Sequence, residues 1–291
     1  MLAYRTRRPA WEAVKTDWPN AKASRFVEAG GIEWHVQIMG DQSAPSLLLL
    51  HGTGASAHSF RDLMPALAER YCVVTPDLPG HGFTATPPND GLSLTGMSAL
   101  VAALLHKLDK EPKLAAGHSA GAAVLLQMAL SGRMKPDRIV SINGALEPIQ
   151  GNALFSPMAR LLFLNPLVPR MFALHARFGE TADMILNKTG SVIDPVGRNC
   201  YRILVRSSEH VEGALGMMAN WDLLALVKAF SKIPVPVTLI AAEDDPAVPA
   251  SVSRRAAAAI PDAKLVLLPK GGHLLHEADW QDVAGLILEP A

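Results

Sequence analysis

Apolar residues along this chain come in short blocks whose period changes from one block to the next. Around Phe26 and Val27, and again over residues 32–39, apolar and polar positions alternate, with Gly30 and Gly31 between the two runs. That pattern predicts an antiparallel hairpin. Residues 46–50 and 71–74 are continuous apolar runs, the mark of strands buried on both faces. Further strands are expected at 114–117, 137–143, 236–242 and 265–268, with helical spacing at 58–69, 97–108, just past 119, at 250–260 and from about 276. Residues 1–24 read as an extended arm. Alternating strands and helices predict an α/β class, with a mostly parallel sheet covered on both faces. The alternation stops over residues 146–230, which read as helical without a strand. The expected organisation is a core of 1–145 and 231–291 with 146–230 inserted as a helical cap. Sites in such sheets form at the carboxyl ends of the strands, so loop positions 53, 77, 119, 143, 245 and 273 should meet in one crevice.

Composition narrows the function classes. The 291 residues suffice for a full-sized core. Twenty-seven basic residues balance 27 acidic ones, which removes the electrostatic case for a nucleic-acid partner. Cys72 and Cys200 form no CxxC, which fits packed thiols in a reducing compartment. The first twenty residues lack the apolar stretch of a signal peptide, and no run of 18 apolar residues occurs. A cytoplasmic protein is expected. There is no GxxxxGK[ST], so no ATP chemistry, and no cofactor is called for.

The candidate chemistry begins at Gly117-His118-Ser119-Ala120-Gly121. A short apolar run enters this G-x-S-x-G and a small-residue helical pattern leaves it. The stretch resembles the nucleophile elbow of α/β-hydrolases, a strained strand-to-helix turn that exposes the serine hydroxyl. A serine hydroxyl needs a positioned base, which in turn needs an orienting acid. In that fold the chain order is serine, acid, histidine. His273 follows a buried strand on the glycine loop Gly271-Gly272 and is the expected general base. Glu243-Asp244-Asp245 follows the strand at 236–242. The superfamily pattern, an acid just ahead of x-x-[VT]-P, implies Asp245, with Asp244 as a turn cap and Glu243 solvated. Asp244 remains the alternative acid. Asp77 is a further one, although fixing the turn at 79–82 is its more ordinary job. Two departures from the superfamily stand out: Ala242 and Lys270 occupy positions where glycines are usual.

His51-Gly52-Thr53-Gly54 resembles the superfamily's HG loop, which implies that the backbone N–H groups of Thr53 and Ala120 form an oxyanion hole. His51 and His118 flank glycine turns and read as backbone-bonding groups. With no HExxH and no Cys/His cluster, no metal site is expected. His118, Asn143, Phe163, Met217, Met218 and Trp221 are the candidate pocket residues. The stretch 161–172 is apolar on nearly every side, which fits core packing, an apolar ligand or peripheral contact with a membrane through the cap.

Read together, Trp34-His35-Val36-Gln37, HGTGASAHSFRDL from His51, PDLPGHGFT from Pro76, GHSAGAA from Gly117, INGAL from Ile142, NPLVPRMF from Asn165 and ALGMMANWDL from Ala214 resemble the magnesium-chelatase accessory proteins of bacteriochlorophyll gene clusters, the BchO-type α/β-hydrolases. The resemblance spans almost the whole chain. It implies a role in (bacterio)chlorophyll biosynthesis near magnesium insertion, with magnesium-chelatase subunits as partners. Two functions follow. One is a Ser119–His273–Asp245 hydrolase acting on an ester of an apolar molecule such as a tetrapyrrole. The other is a non-catalytic accessory factor that binds porphyrin. Dehalogenase and epoxide-hydrolase chemistry is disfavoured, since those relatives use an aspartate nucleophile at the position of Ser119.

Overall fold

The computed structural model describes residues 11–148, 165 and 167–289. Eight strands form one sheet: β1 Ser24–Ala29, β2 Ile32–Met39, β3 Ser46–Leu50, β4 Cys72–Pro76, β5 Pro112–His118, β6 Arg138–Ile142, β7 Val237–Ala242 and β8 Ala263–Leu268. Their order is β1-β2-β4-β3-β5-β6-β7-β8. β1 pairs antiparallel with β2 and β2 with β4, and every other pairing is parallel. Gly30 and Gly31 turn the hairpin with φ of 59° and 80°, the backbone a tight two-residue turn requires. β3, β4, β6 and β7 are buried at every position, and β5 at all but Lys113, as a sheet covered on both faces demands.

Helices fill the two faces. Leu48, Leu50, Val74 and Ala115 pack on one side with α3 (Leu94–Lys107), α4 (Ala120–Leu130) and α10 (Ala250–Ala259). Leu47, Leu49, Val73 and Ala116 pack on the other with α2 (Leu63–Leu67) and the C-terminal α11 (Leu275–Ala278) and α12 (Trp280–Leu288). Between β6 and β7 the described residues form α5 Leu167–Phe178, α6 Thr181–Asn187, α7 Pro195–Val205, α8 Ser208–Asn220 and α9 Leu224–Lys228, with no strand among them.

Two local expectations fail for identifiable reasons. The described part of the N-terminal segment is not an extended arm. Residues Trp11–Val14 form a helical turn, α1, and Trp18 is buried against Phe83 at 4.8 Å. Two tryptophans offer too much apolar surface to leave in water. The helix expected at 58–69 is split into a 3-10 turn at Ala57–Phe60 and α2. Pro65 explains the break, since its missing N–H is tolerated only in a helix's first turn.

Candidate active site

Each parallel strand ends where the site is built. β5 runs into Ser119, whose φ of 50° and ψ of −116° lie outside the regions open to ordinary L-residues. The turn closes because Gly117 and Gly121 have no Cβ. One added to Gly117 would sit 2.5 Å from the Ala122 nitrogen, and one on Gly121 would overlap the Leu50 carbonyl. This places the Ser119 Oγ at the mouth of α4.

His273 Nε2 lies 3.2 Å from Ser119 Oγ, and His273 Nδ1 lies 2.8 Å from Asp245 Oδ2. The Asp245 side chain is fully buried while His273 is partly open. The other Asp245 oxygen accepts the N–H groups of Ala247 and Val248 at 2.8 and 2.9 Å, so the carboxylate is held by three donors. Asp244 does a different job. It accepts the N–H groups of Gly272 and Gly271 at 2.9 and 3.3 Å and so shapes the loop that carries His273. Glu243 is half exposed and paired with Arg254 at 2.8 Å.

A cleft of about 570 Å³ opens over Ser119 and His273. Thr53 and Ala120 line it, as do Met217, Met218 and Trp221. Ala120 is the first residue of α4, where helix geometry leaves the N–H without an intrahelical acceptor. The Thr53 hydroxyl donates to Met217 Sδ at 3.4 Å, joining the loop after β3 to α8. Ala145, Glu147, Pro148, Leu223, Leu224 and Val248 complete much of the wall; Ala145, Leu223 and Val248 fall in stretches the sequence singled out for other reasons, and Glu147, Pro148 and Leu224 in none.

His118 and Asn143 do not line the cleft; their polar atoms are used behind it. His118 Nε2 donates to the His273 carbonyl at 2.8 Å. Asn143 Nδ2 donates to the Gly272 and His273 carbonyls at 2.8 and 3.0 Å, while its Oδ1 accepts the Ala242 N–H at 2.8 Å. Both side chains therefore hold the His273 loop. Asp77 is likewise outside the crevice, accepting the Ala57 and Phe83 N–H groups at 2.7 and 2.8 Å. His51 bonds backbone as expected, accepting from Leu78 N and meeting the Gly52 carbonyl, each at 2.8 Å. Phe163 lies outside the described residues.

The helical insertion reaches the same loop. Ser191 Oγ donates to the Gly271 carbonyl at 2.6 Å and accepts the Leu274 N–H at 2.8 Å, and the Thr189 carbonyl accepts the His273 N–H at 2.7 Å. Gly272, at φ 65°, leaves no room for a Cβ against Gly190. A second tie lies below. Arg61 donates to Glu277 Oε2 at 2.5 Å and also to Asp194, the N-cap of α7, and Tyr201 of α7 donates to Glu277 Oε1 at 2.7 Å. Burial pushes the Glu277 carboxyl up to about 7 against the pull of Arg61. It pushes the Cys200 thiol up to about 12, so that cysteine is packed and unreactive.

Among the described residues, no group of three or more His, Cys, Asp or Glu side chains is placed to hold a metal ion. No described helix is long and apolar enough to cross a membrane.

The sheet order, the helices on both faces and the turn at Ser119 define a hydrolase-type α/β protein. The chain belongs to the alpha/beta hydrolase family, whose model matches residues 47–286. Over 283 residues it is 43% identical to the magnesium-chelatase 30 kDa subunit of Rhodobacter capsulatus, covering 95% of this chain and 97% of that protein. Among solved structures, the enol-lactonase from Burkholderia xenovorans LB400 superposes with a TM-score of 0.76 at 21% identity, over 91% of this chain and 98% of that one. An alpha/beta hydrolase fold protein from Burkholderia ambifaria does so with a TM-score of 0.76 at 22% identity, over 92% and 98%. At those identities the structures speak for the fold alone.

Proposed function

We propose that this protein is a serine hydrolase acting on an ester of an apolar molecule, working in (bacterio)chlorophyll biosynthesis near the step of magnesium insertion into protoporphyrin. The observation that carries the chemistry is Ser119 itself, held in the strained turn at the N-terminus of α4 and open to the cleft, with His273 and then Asp245 within hydrogen-bond distance. On this reading His273 takes the Ser119 proton as Oγ attacks the ester carbonyl, and Asp245 holds the imidazole in the right tautomer and stabilises its cation. The tetrahedral oxyanion is held by the N–H groups of Thr53 and Ala120, each worth about 3 kcal/mol of barrier. His273 then protonates the leaving alcohol, and water attacking the acyl-enzyme by the reverse route frees the acid.

The apolar class of substrate is supported by Met217, Met218 and Trp221 in the cleft wall. Residues 146–230 act as a cap whose floor is bolted to the His273 loop. The pathway, and association with magnesium-chelatase subunits, come from the 43% identity to a chelatase subunit. That same likeness favours a second reading, in which the protein binds porphyrin without turning it over.

Labelling with a fluorophosphonate probe separates the two readings. The hydrolase reading expects wild type to label at Ser119 and the folded Ser119→Ala and His273→Ala variants to stay unlabelled. A folded wild type that neither labels nor cleaves aryl esters, yet shifts the porphyrin absorbance band, overturns it in favour of the carrier.

A further inference from the structure

Helix α5 carries an apolar stripe on the side that faces water. Among the described residues ten large hydrophobic side chains are exposed, and eight of them fall between Leu167 and Val196. On α5 they are Leu167, Met171, Leu174 and Phe178, the last 85% exposed. Steps of four, three and four residues at 100° each confine these four to an arc of about 60°. The helix meets the protein through small side chains on the opposite side, Ala173 and Ala176, with Pro169. The large residues therefore point outward by construction, since a helix that buried them would be turned by half a revolution.

Charge selects what covers the stripe. α5 contains no acidic residue, while Arg170 and Arg177 flank the stripe on one side and His175 on the other. Neither arginine is ion-paired among the described residues, in contrast to Arg198 and Arg202 of α7, which both bind Asp183. Beyond the end of α5, exposed Met184 and Ile185 are followed by Lys188. Outward apolar side chains beside two arginines that have no ion pair among the described residues are the pattern of a helix lying in a lipid interface, with the arginine stems along the apolar surface and their heads at phosphate.

We propose that α5 seats this protein on an anionic lipid bilayer, with Leu167, Met171, Leu174 and Phe178 entering the boundary between headgroups and acyl chains and Arg170 and Arg177 binding lipid phosphate. The helix packs on α8, which carries Met217 and Met218 of the cleft wall. A seated protein thus holds its cleft one helix away from the phase in which an apolar ligand dissolves. The surface does not depend on the chemistry at Ser119, and its test needs no turnover.

Flotation of the full chain with vesicles is the test, using phosphatidylcholine alone and phosphatidylcholine mixed with phosphatidylglycerol. Wild type should float with the mixed vesicles and release as salt is raised. Arg170→Gln with Arg177→Gln should weaken binding about thirtyfold, at about 1 kcal/mol for each cation near the surface. Met171→Glu with Phe178→Glu should abolish it, and because these positions are exposed the melting temperature should stay at the wild-type value. Three outcomes overturn the proposal: no flotation of wild type with either vesicle; flotation that the α5 substitutions leave unchanged; or, in place of lipid binding, a dimer in solution that Phe178→Glu breaks, which would assign the stripe to a second copy of the chain.

Discussion

Two serine–histidine–aspartate chains run through this molecule, built to nearly the same distances. In one, Ser119 Oγ, His273 and Asp245 are linked at 3.2 and 2.8 Å. In the other, Ser24 Oγ lies 2.9 Å from His35 Nε2, and His35 Nδ1 lies 2.9 Å from Asp77 Oδ2. Their surroundings differ in every respect that matters for chemistry. Ser24 has ordinary extended geometry, φ −72° and ψ 137°, and its hydroxyl is also engaged by Gln37 Nε2 at 3.2 Å. His35 is wholly buried, ringed by Trp11, Phe26 and Phe83 within 5.0–5.4 Å. Burial works against the Asp77 charge, but His35, His51 and the Phe83 N–H outweigh it and hold its carboxyl below the usual range. A buried imidazole needs partners for both nitrogens, and an aspartate with a hydroxyl is one economical solution. The relay distances alone are therefore no signature of catalysis. What sets Ser119 apart is the strained turn, the helix N-terminus behind it and the cleft in front.

The largest effect should come from the serines themselves. On the proposed reading Ser119→Ala lowers kcat for an aryl ester by about a millionfold, as loss of a nucleophile does in serine proteases. Ser24→Ala should leave kcat within about twofold, because no reacting atom reaches it. Peptide mass spectrometry after fluorophosphonate treatment checks the same contrast by site. Label found on Ser24 would erase the distinction.

The aspartates should divide by kind of damage. Asp245→Asn removes the acceptor that fixes the His273 tautomer and should cost about 10⁴ in kcat; its remaining oxygen still accepts the Ala247 and Val248 N–H groups, so the melting temperature should fall less than on Asp77→Asn, where the Phe83 N–H shares the lost oxygen with His35. Asp77→Asn breaks a buried pair and deprives the Ala57 and Phe83 N–H groups of a charged acceptor, and should cost about 3 kcal/mol of stability. Activity per folded molecule should survive. Calorimetry beside single-turnover kinetics reads both, and equal loss of activity in the two variants would mean that Asp77 serves the site.

How much of this was legible in the sequence follows from where the physics is local. Strands β3 to β7 could be placed because a strand buried on both faces reads as a nearly continuous apolar run, as Leu47 to Leu50 do. The turn at Ser119 could be placed because its close approach requires glycine on both sides. Adjacent acids were harder. Asp244 and Asp245 differ by one step of backbone, and which one faces His273 is set by how β7 ends. His118 and Asn143 sit beside the right motifs, but sequence proximity does not say which way a side chain points. Both point into the support of the His273 loop. Ser191 had no signal at all, since its partners are backbone atoms of Gly271 and Leu274. Over 161–172 the sequence is apolar on nearly every side, so where α5 falls in that stretch only packing against the protein decides which side meets water.

Ser191 offers a way to sharpen the comparison. The His273 relay is braced by the helical insertion, whereas the His35 relay is braced by β2 and by loops of the sheet domain. Ser191→Ala removes one donor to Gly271 and one acceptor from Leu274, a stability cost of about 1–3 kcal/mol. A slackened loop lets Nε2 drift from Ser119, and misplacement of this kind costs up to about a hundredfold in rate. The expected result is labelling at least about tenfold slower at full occupancy of the folded state. An unchanged labelling rate in a destabilised variant would make Ser191 a packing residue only.

The smallest effect concerns acid. Beneath His273 two further imidazoles lie in contact, tilted to one another, with ring centroids 4.8 Å apart for His273–His118 and 4.1 Å for His118–His276. Burial first, then the nearby His273, Arg61 and His51, depress the His276 pKa well below its usual value, and neither ring nitrogen has a hydrogen-bond partner among the described residues. A histidine held neutral when folded contributes stability that is complete above about pH 6.5 and is lost as pH falls through that value, because only the unfolded chain takes up the proton. His276→Leu removes that uptake. Against wild type it should change little at pH 7 and be favoured by about 2 kcal/mol at pH 5, the unfolded histidine then lying about 1.5 pH units below its pKa. Denaturant midpoints at the two pH values measure it. A difference that does not grow on acidification would mean that folded His276 takes up its proton as readily as the unfolded chain does, and that at pH 5 the floor of the Ser119 relay is charged where the His35 relay is sealed in apolar rings.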